Sequence, residues 1–86
     1  MTWRESIKRE MSFHADHFDD IISEVSDISG WMDVEFDESY GINEGPSFTL
    51  WTKKRVYFPV QYDGSEWVGS VPRDPCNEIT RHMGGG

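Results

Sequence analysis

The chain has 86 residues and a mass of 10.0 kDa, with 16 Asp+Glu against 8 Lys+Arg and a formal net charge of −8. A chain of this length makes one domain, residues 1–86, with one modest core. The acidic balance disfavours direct binding to nucleic acid or to an anionic membrane, and the single Cys excludes an internal disulfide framework. No apolar run approaches the ~20 residues of a membrane span, and no basic stretch leads into an apolar one. A cytoplasmic protein is therefore expected.

The first element expected is a long helix over residues 2–29. Thr2 and Glu5 have the spacing of a capping box. Trp3, Ile7, Met11, Phe18, Ile21, Ile22, Val25 and Ile28 then fall within one sector of roughly 120° at helical spacing. Gly30 suits the residue after a helix end.

Residues 31–37 alternate, with Met32, Val34 and Phe36 on one side and Trp31, Asp33, Glu35 and Asp37 on the other. That is the pattern of a half-buried strand with an acidic outer face. A loop over 38–47 carries Gly41, Asn43, Gly45 and Pro46.

Residues 48–52, 55–62 and 66–71 are rich in aromatic and β-branched side chains and read as a β-meander. Lys53-Lys54 falls at one turn and Asp63-Gly64 at the next. Pro59 cannot donate to a ladder and implies an edge or a bulge. Asp74-Pro75 then reads as the start of a short helix with Cys76, Ile79 and Met83 on one face. Residues 84–86, all Gly, form a flexible tail. The fold expected is α+β in the order α-β-β-β-β-α: a long N-terminal helix on a four-stranded antiparallel sheet, with a short C-terminal helix. Its core is expected to contain Ile7, Met11, Phe18, Ile21, Val25, Met32, Val34, Phe36, Phe58 and Val60.

The charge is segregated along the chain. Eleven carboxylates and no Lys or Arg lie between Glu10 and Thr52, whereas the rest holds five carboxylates and all eight basic residues. On a helix, Asp16, Asp20, Glu24 and Asp27 would line the side opposite the apolar stripe. Arg4, Lys8 and Arg9 would sit near the positive end of the helix dipole, and Glu24 and Asp27 near the negative end. Both placements oppose stability, each by about 0.3–1 kcal/mol where exposed. A local rule broken without compensation marks a candidate functional surface. The alternative is a solvated face that serves solubility alone.

The surface expected to meet a partner comprises Phe13, Asp16, Asp19, Asp20, Glu24, Asp27, Asp33, Glu35, Asp37 and Glu38. Phe13 lies off the apolar stripe and would offer an aromatic anchor inside the acidic field. The partner would be a protein with a basic surface, a nucleic-acid-binding protein being the specific case in which the carboxylates imitate phosphates.

Chemistry-bearing patterns are sparse. His14 and His17 have the i, i+3 spacing of a metal pair but lack a full ligand set, so a partly buried, hydrogen-bonded His is expected and no metal. Cys76 has no His at a recognisable spacing, and a buried thiol is expected. Lys53, Lys54 and Arg55 form the one basic cluster, read as a solvated turn or a secondary contact to an acidic part of a partner. No cofactor motif is present. The residues therefore favour a non-enzymatic binding module. In composition the chain resembles the small inhibitors that phages encode against bacterial nucleic-acid-handling and defence machinery, a likeness of class that rests on no specific residue. The competing expectation is a subunit of a homo-oligomeric or structural assembly, joined through the aromatic face of the sheet.

Overall fold

The computed structural model describes residues 1–25, 30, 32–35, 47–62 and 65–83. One α-helix, α1 (Trp3–Ser12), packs on a four-stranded antiparallel sheet. The strands are β1 (Ser23–Val25), β2 (Thr49–Trp51), β3 (Arg55–Tyr62) and β4 (Ser65–Pro72), and they lie side by side in chain order.

The start of α1 follows the sequence. Thr2 Oγ1 accepts the Glu5 N–H at 3.1 Å, and Glu5 Oε1 accepts the Thr2 N–H at 2.9 Å, which closes the capping box. Those bonds hold the Glu5 carboxyl below its ordinary range.

The helix does not run to residue 29. It ends after ten residues, because the chain turns left-handed at Ala15 (φ 54) and the Asp16 N–H bonds the Met11 carbonyl at 3.0 Å. This six-to-one bond is a Schellman ending, with Ala where Gly is usual. Two anchors from the sheet hold the turn. Lys54 Nζ donates to the Ala15 carbonyl, and the Asp16 side chain is drawn in against Thr52 and Tyr57. A short 3-10 turn (Phe18–Asp20) follows, and Asp20 Oδ2 accepts the His17 N–H at its start. The chain then enters the sheet as β1, which suits the β-branched Ile21, Ile22 and Val25.

This shorter helix leaves Arg4 in its first turn, as expected, but removes the rest of the argument from the helix dipole. Arg9 stands in the last turn of α1, where a cation is favourable, and Glu24 is on a strand. Arg4 and Lys8 have a different role, lying 5.7 and 5.5 Å from the centre of the Phe18 ring.

Two other expected elements also differ. Residues 32–35 form no strand of the sheet; Glu35 makes a single bridge to Thr2, and the Arg4 N–H bonds the Met32 carbonyl. Residues 75–83 contain no helix. A helix of that length is marginal by itself, and here the segment is held instead by Glu78 on Arg55 and by Met83 on the sheet. Cys76 and Ile79 are accordingly exposed rather than buried. Residues 84–86 lie outside the described residues.

The meander is as expected. Thr52 N–H bonds the Arg55 carbonyl, and Thr52 Oγ1 accepts the N–H groups of Lys54 and Arg55, so Lys53-Lys54 form the β2–β3 turn. The pair Tyr62↔Ser65 closes the β3–β4 hairpin around Asp63-Gly64, themselves outside the described residues. Pro59 lies beyond the part of β3 that pairs with β2, so no neighbour there requires its N–H.

The core lies between α1 and one sheet face: Trp3, Ile7, Met11, Met32, Phe48, Leu50, Tyr57 and Val68. Trp3 meets Phe48 edge to face at 6.0 Å. Val60 is buried on the opposite face. There Met83 sits so close to Gly69 that a Cβ would lie 2.7 Å from its Sδ, which only Gly permits. Val25 and Val34 are exposed, contrary to their expected place in the core: Val25 ends the edge strand β1 instead of lying on a long helix, and Val34 lies in a segment that is no strand of the sheet. Phe36 lies outside the described residues.

Phe18 and Ile21 pack against the core only in part. Phe18→Ala should therefore cost about 1–2 kcal/mol, below the 3–5 typical of a fully buried Phe. Chemical denaturation of the variant reads this directly, and a loss in the upper range would mean that Phe18 belongs to the core proper.

Candidate partner-binding surface

The ten acidic and aromatic residues singled out by sequence divide into groups in the structure. Asp16 is buried, 3% exposed, and is corrected from a surface residue to an interior one. Its Oδ2 accepts from Thr52 Oγ1 at 2.6 Å and from Tyr57 Oη at 2.8 Å, while its Oδ1 has no hydrogen-bond partner. A helical reading placed it opposite the apolar stripe; the left-handed step at Ala15 turns it the other way. Burial, reinforced by the Asp16 carboxylate, drives the Tyr57 phenol far above its ordinary value of 10.0.

Asp33 and Glu35 are exposed but already paired. Arg4 Nε donates to Asp33 at 3.0 Å, and the N-terminal ammonium donates to Glu35 at 2.8 Å. Such solvent-exposed pairs contribute little stability. Asp27, Asp37 and Glu38 lie outside the described residues.

Asp19, Asp20 and Glu24 are exposed and fall on the 3-10 turn and β1. Among the described residues Asp19 and Glu24 have no cationic partner. The same stretch exposes apolar side chains. Phe13 is 71% exposed as expected, and Ile22 and Val25 are 53% and 59% exposed. Sequence reasoning assigned Ile22 and Val25 to the buried stripe, so it missed them as surface candidates. The available signal for a strand was the β-branched run Ile21, Ile22 and Val25; along the strand Ile22 and Glu24 face one side and Ser23 and Val25 the other. From Phe13 to Val25, then, the chain offers exposed apolar side chains interleaved with exposed carboxylates.

A second polar group lies behind α1. Arg55 is buried at the start of β3; its Nε donates to Ser70 Oγ at 2.9 Å, and its Nη2 to the Ser70 carbonyl at 3.2 Å. Its two terminal nitrogens grip Glu78 at 2.8 and 2.9 Å. Ser70 Oγ donates on to Glu10 Oε2, which also lies 3.2 Å from His14 Nε2. His14 is thus the partly buried, hydrogen-bonded His expected from sequence. Burial opposes the Arg55 charge, but the Glu78 carboxylate and more distant anions outweigh it and hold the guanidinium above its ordinary value. Its hydrogen bond to Arg55 holds the Glu78 carboxyl below its ordinary value of 4.5. Apart from the hydrogen-bonded His14, these links were not foreseen; the inward alternation of Arg55 and Tyr57 was the one trace of the rest in the sequence.

No helix among the described residues is long and apolar enough to cross a membrane. No family model, curated protein or solved structure matches this chain.

Proposed function

We propose that this chain is a small, acidic, non-enzymatic binding module that inhibits a partner protein by covering a basic surface, a nucleic-acid-binding site being the specific case. The observation that supports this is the stretch from Phe13 to Val25, where exposed Phe13, Ile22 and Val25 accompany exposed Asp19, Asp20 and Glu24. Regular structure at the 3-10 turn and β1 fixes part of it, so little ordering is needed on binding. Carboxylates around an apolar anchor combine two roles: charge speeds encounter and sets orientation, and the anchor slows release. Asp33 and Glu35 extend the acidic field without being free charges. In composition the chain resembles phage-encoded inhibitors of bacterial defence and nucleic-acid-handling proteins, a likeness of class that rests on no specific residue.

The test is a triple charge reversal, Asp19→Lys, Asp20→Lys and Glu24→Lys, compared with wild type for partner capture from source-cell extract. Capture should be lost. Thermal stability should fall by only about 1 kcal/mol, chiefly through the lost Asp20 bond to the His17 N–H at the 3-10 turn. Capture at wild-type strength by a folded triple variant would exclude this surface and move the interface to the sheet face that carries Trp51, Phe58 and Trp67.

A further inference from the structure

The basic cluster at Lys53, Lys54 and Arg55 has no part in the surface described above, yet it opens onto a cleft of about 430 Å³. The cleft is also lined by His14, Asp74, Cys76 and Glu78, with Pro72 and Pro75 shaping its wall. We propose that this cleft binds a phosphate dianion, and that Glu78 is an internal occupant which the phosphate displaces.

Arg55 carries the argument. Ser70 fixes its guanidinium through both Oγ and the backbone carbonyl, so the fork is pre-organised before anything binds it. Its side chain is only 7% exposed, whereas that of Glu78 is 38% exposed. A buried, oriented guanidinium that meets a carboxylate through two parallel bonds is the arrangement used to recognise planar or tetrahedral oxyanions. Here the oxyanion comes from residues 73–83, a segment without helix or strand, most of it exposed. Such a segment yields its contact more readily than a strand does.

The charge around the fork favours phosphate over a second carboxylate. With Glu78 in place, three cations face three carboxylates, Glu78, Asp74 and Glu10, the last already bonded to Ser70. With Glu78 displaced, the three cations outnumber Asp74 and Glu10. Lys54 Nζ is spent on the Ala15 carbonyl but keeps further donors; Lys53 has no partner among the described residues. A dianion with four oxygens uses these donors where one carboxylate satisfies only the fork. Asp74 opposes binding and sets an upper limit on affinity.

An internal occupant lowers apparent affinity by the fraction of time the site stands open. Glu78→Gln removes the competing charge while keeping the side-chain shape. Titration with inorganic phosphate at constant ionic strength, followed by backbone amide NMR, should shift the signals of residues 53–55 and 78 in both proteins. The dissociation constant should be at least about tenfold lower in the variant. Phosphate should also raise the melting temperature of Glu78→Gln more than that of wild type, as ligand linkage requires. Lys53→Gln in the Glu78→Gln background should weaken binding again. Glu78→Asp, which keeps the charge but shortens the reach, should fall between the two and serves if Glu78→Gln folds poorly. O-phosphoserine tested beside inorganic phosphate separates the sources: tighter binding of phosphoserine assigns the site to a phosphorylated protein, and equal binding to free phosphate. Equal dissociation constants in wild type and in both Glu78 variants, or shifts that chloride reproduces, would overturn the proposal.

Discussion

Arg55→Ala should be among the most damaging single substitutions in this protein, at about 2–4 kcal/mol, because buried Ser70 loses two bonds from a charged donor while the exposed Glu78 returns to water. The buried guanidinium satisfies Ser70 at two atoms and Glu78 at two more. Its removal leaves the Ser70 carbonyl and the Glu10 end of the network without their nearest cation and frees the segment that Glu78 holds. Small domains have total stabilities at the low end of about 5–15 kcal/mol, so the variant should stay folded near room temperature but melt at a clearly lower temperature. Arg55→Lys keeps the charge but not the fork, and should recover only part of the loss. There is a matching acid limb. Because Arg55 holds the Glu78 carboxyl below 4.5, that pair contributes stability above this pH and loses it as the pH falls through the lowered value. Urea titrations from pH 7 to pH 3 should show this loss in wild type and a shallower one in Glu78→Gln. Identical slopes would mean that the pair is not formed in solution.

Asp16→Ala should cost about 2–4 kcal/mol. Two hydroxyl donors, from Thr52 and Tyr57, lose a charged acceptor, and each such bond is worth about 1.5–3 kcal/mol. Part of that is offset, since the substitution also removes the unpaired, buried Oδ1. Tyr57→Phe takes away one donor and should cost less, about 1–2 kcal/mol. The raised Tyr57 value adds an alkaline signature. The folded state keeps the phenol protonated after the unfolded chain has begun to lose its proton near pH 10, so this stability is present below pH 10 and declines as the pH rises further. Tyr57→Phe should flatten that decline. A double-mutant cycle at Asp16 and Tyr57 reads the coupling; a value near zero would show that the carboxylate is turned elsewhere.

The legible parts of the fold were those fixed locally. The Thr2–Glu5 box and the Lys53-Lys54 turn rest on neighbours within a few residues, and the three meander strands pair with their chain neighbours across short turns, so their sequence patterns carry them. The end of α1 was not legible, because its cause lies 36 and 41 residues away at Thr52 and Tyr57. Ile21, Ile22 and Val25 satisfy both helical spacing and β preference, and the sheet decides between them. Met32 and Val34 alternate as a strand would, yet among the described residues this segment meets the start of α1 through the Thr2–Glu35 bridge and the Arg4 N–H on the Met32 carbonyl rather than joining the sheet. Of the candidate surface, Phe13, Asp19, Asp20 and Glu24 were legible as exposed positions. Asp16 was not, since a buried carboxylate requires partners that only the tertiary structure supplies. Ile22 and Val25 were hidden by the same ambiguity that concealed β1.

The central claim is that the acidic stretch from Phe13 to Val25 meets a basic surface. Its most direct test is the salt dependence of the association rate with the captured partner, from 50 to about 500 mM NaCl at fixed pH. Exposed charges further apart than a Debye length, about 10 Å at 0.1 M, are screened across this range. The rate should fall by about tenfold or more for wild type, and by much less for the variant with Asp19, Asp20 and Glu24 reversed, with dissociation changing little. A wild-type association rate that stays flat with salt would contradict the account and give the interface to the apolar face of the sheet.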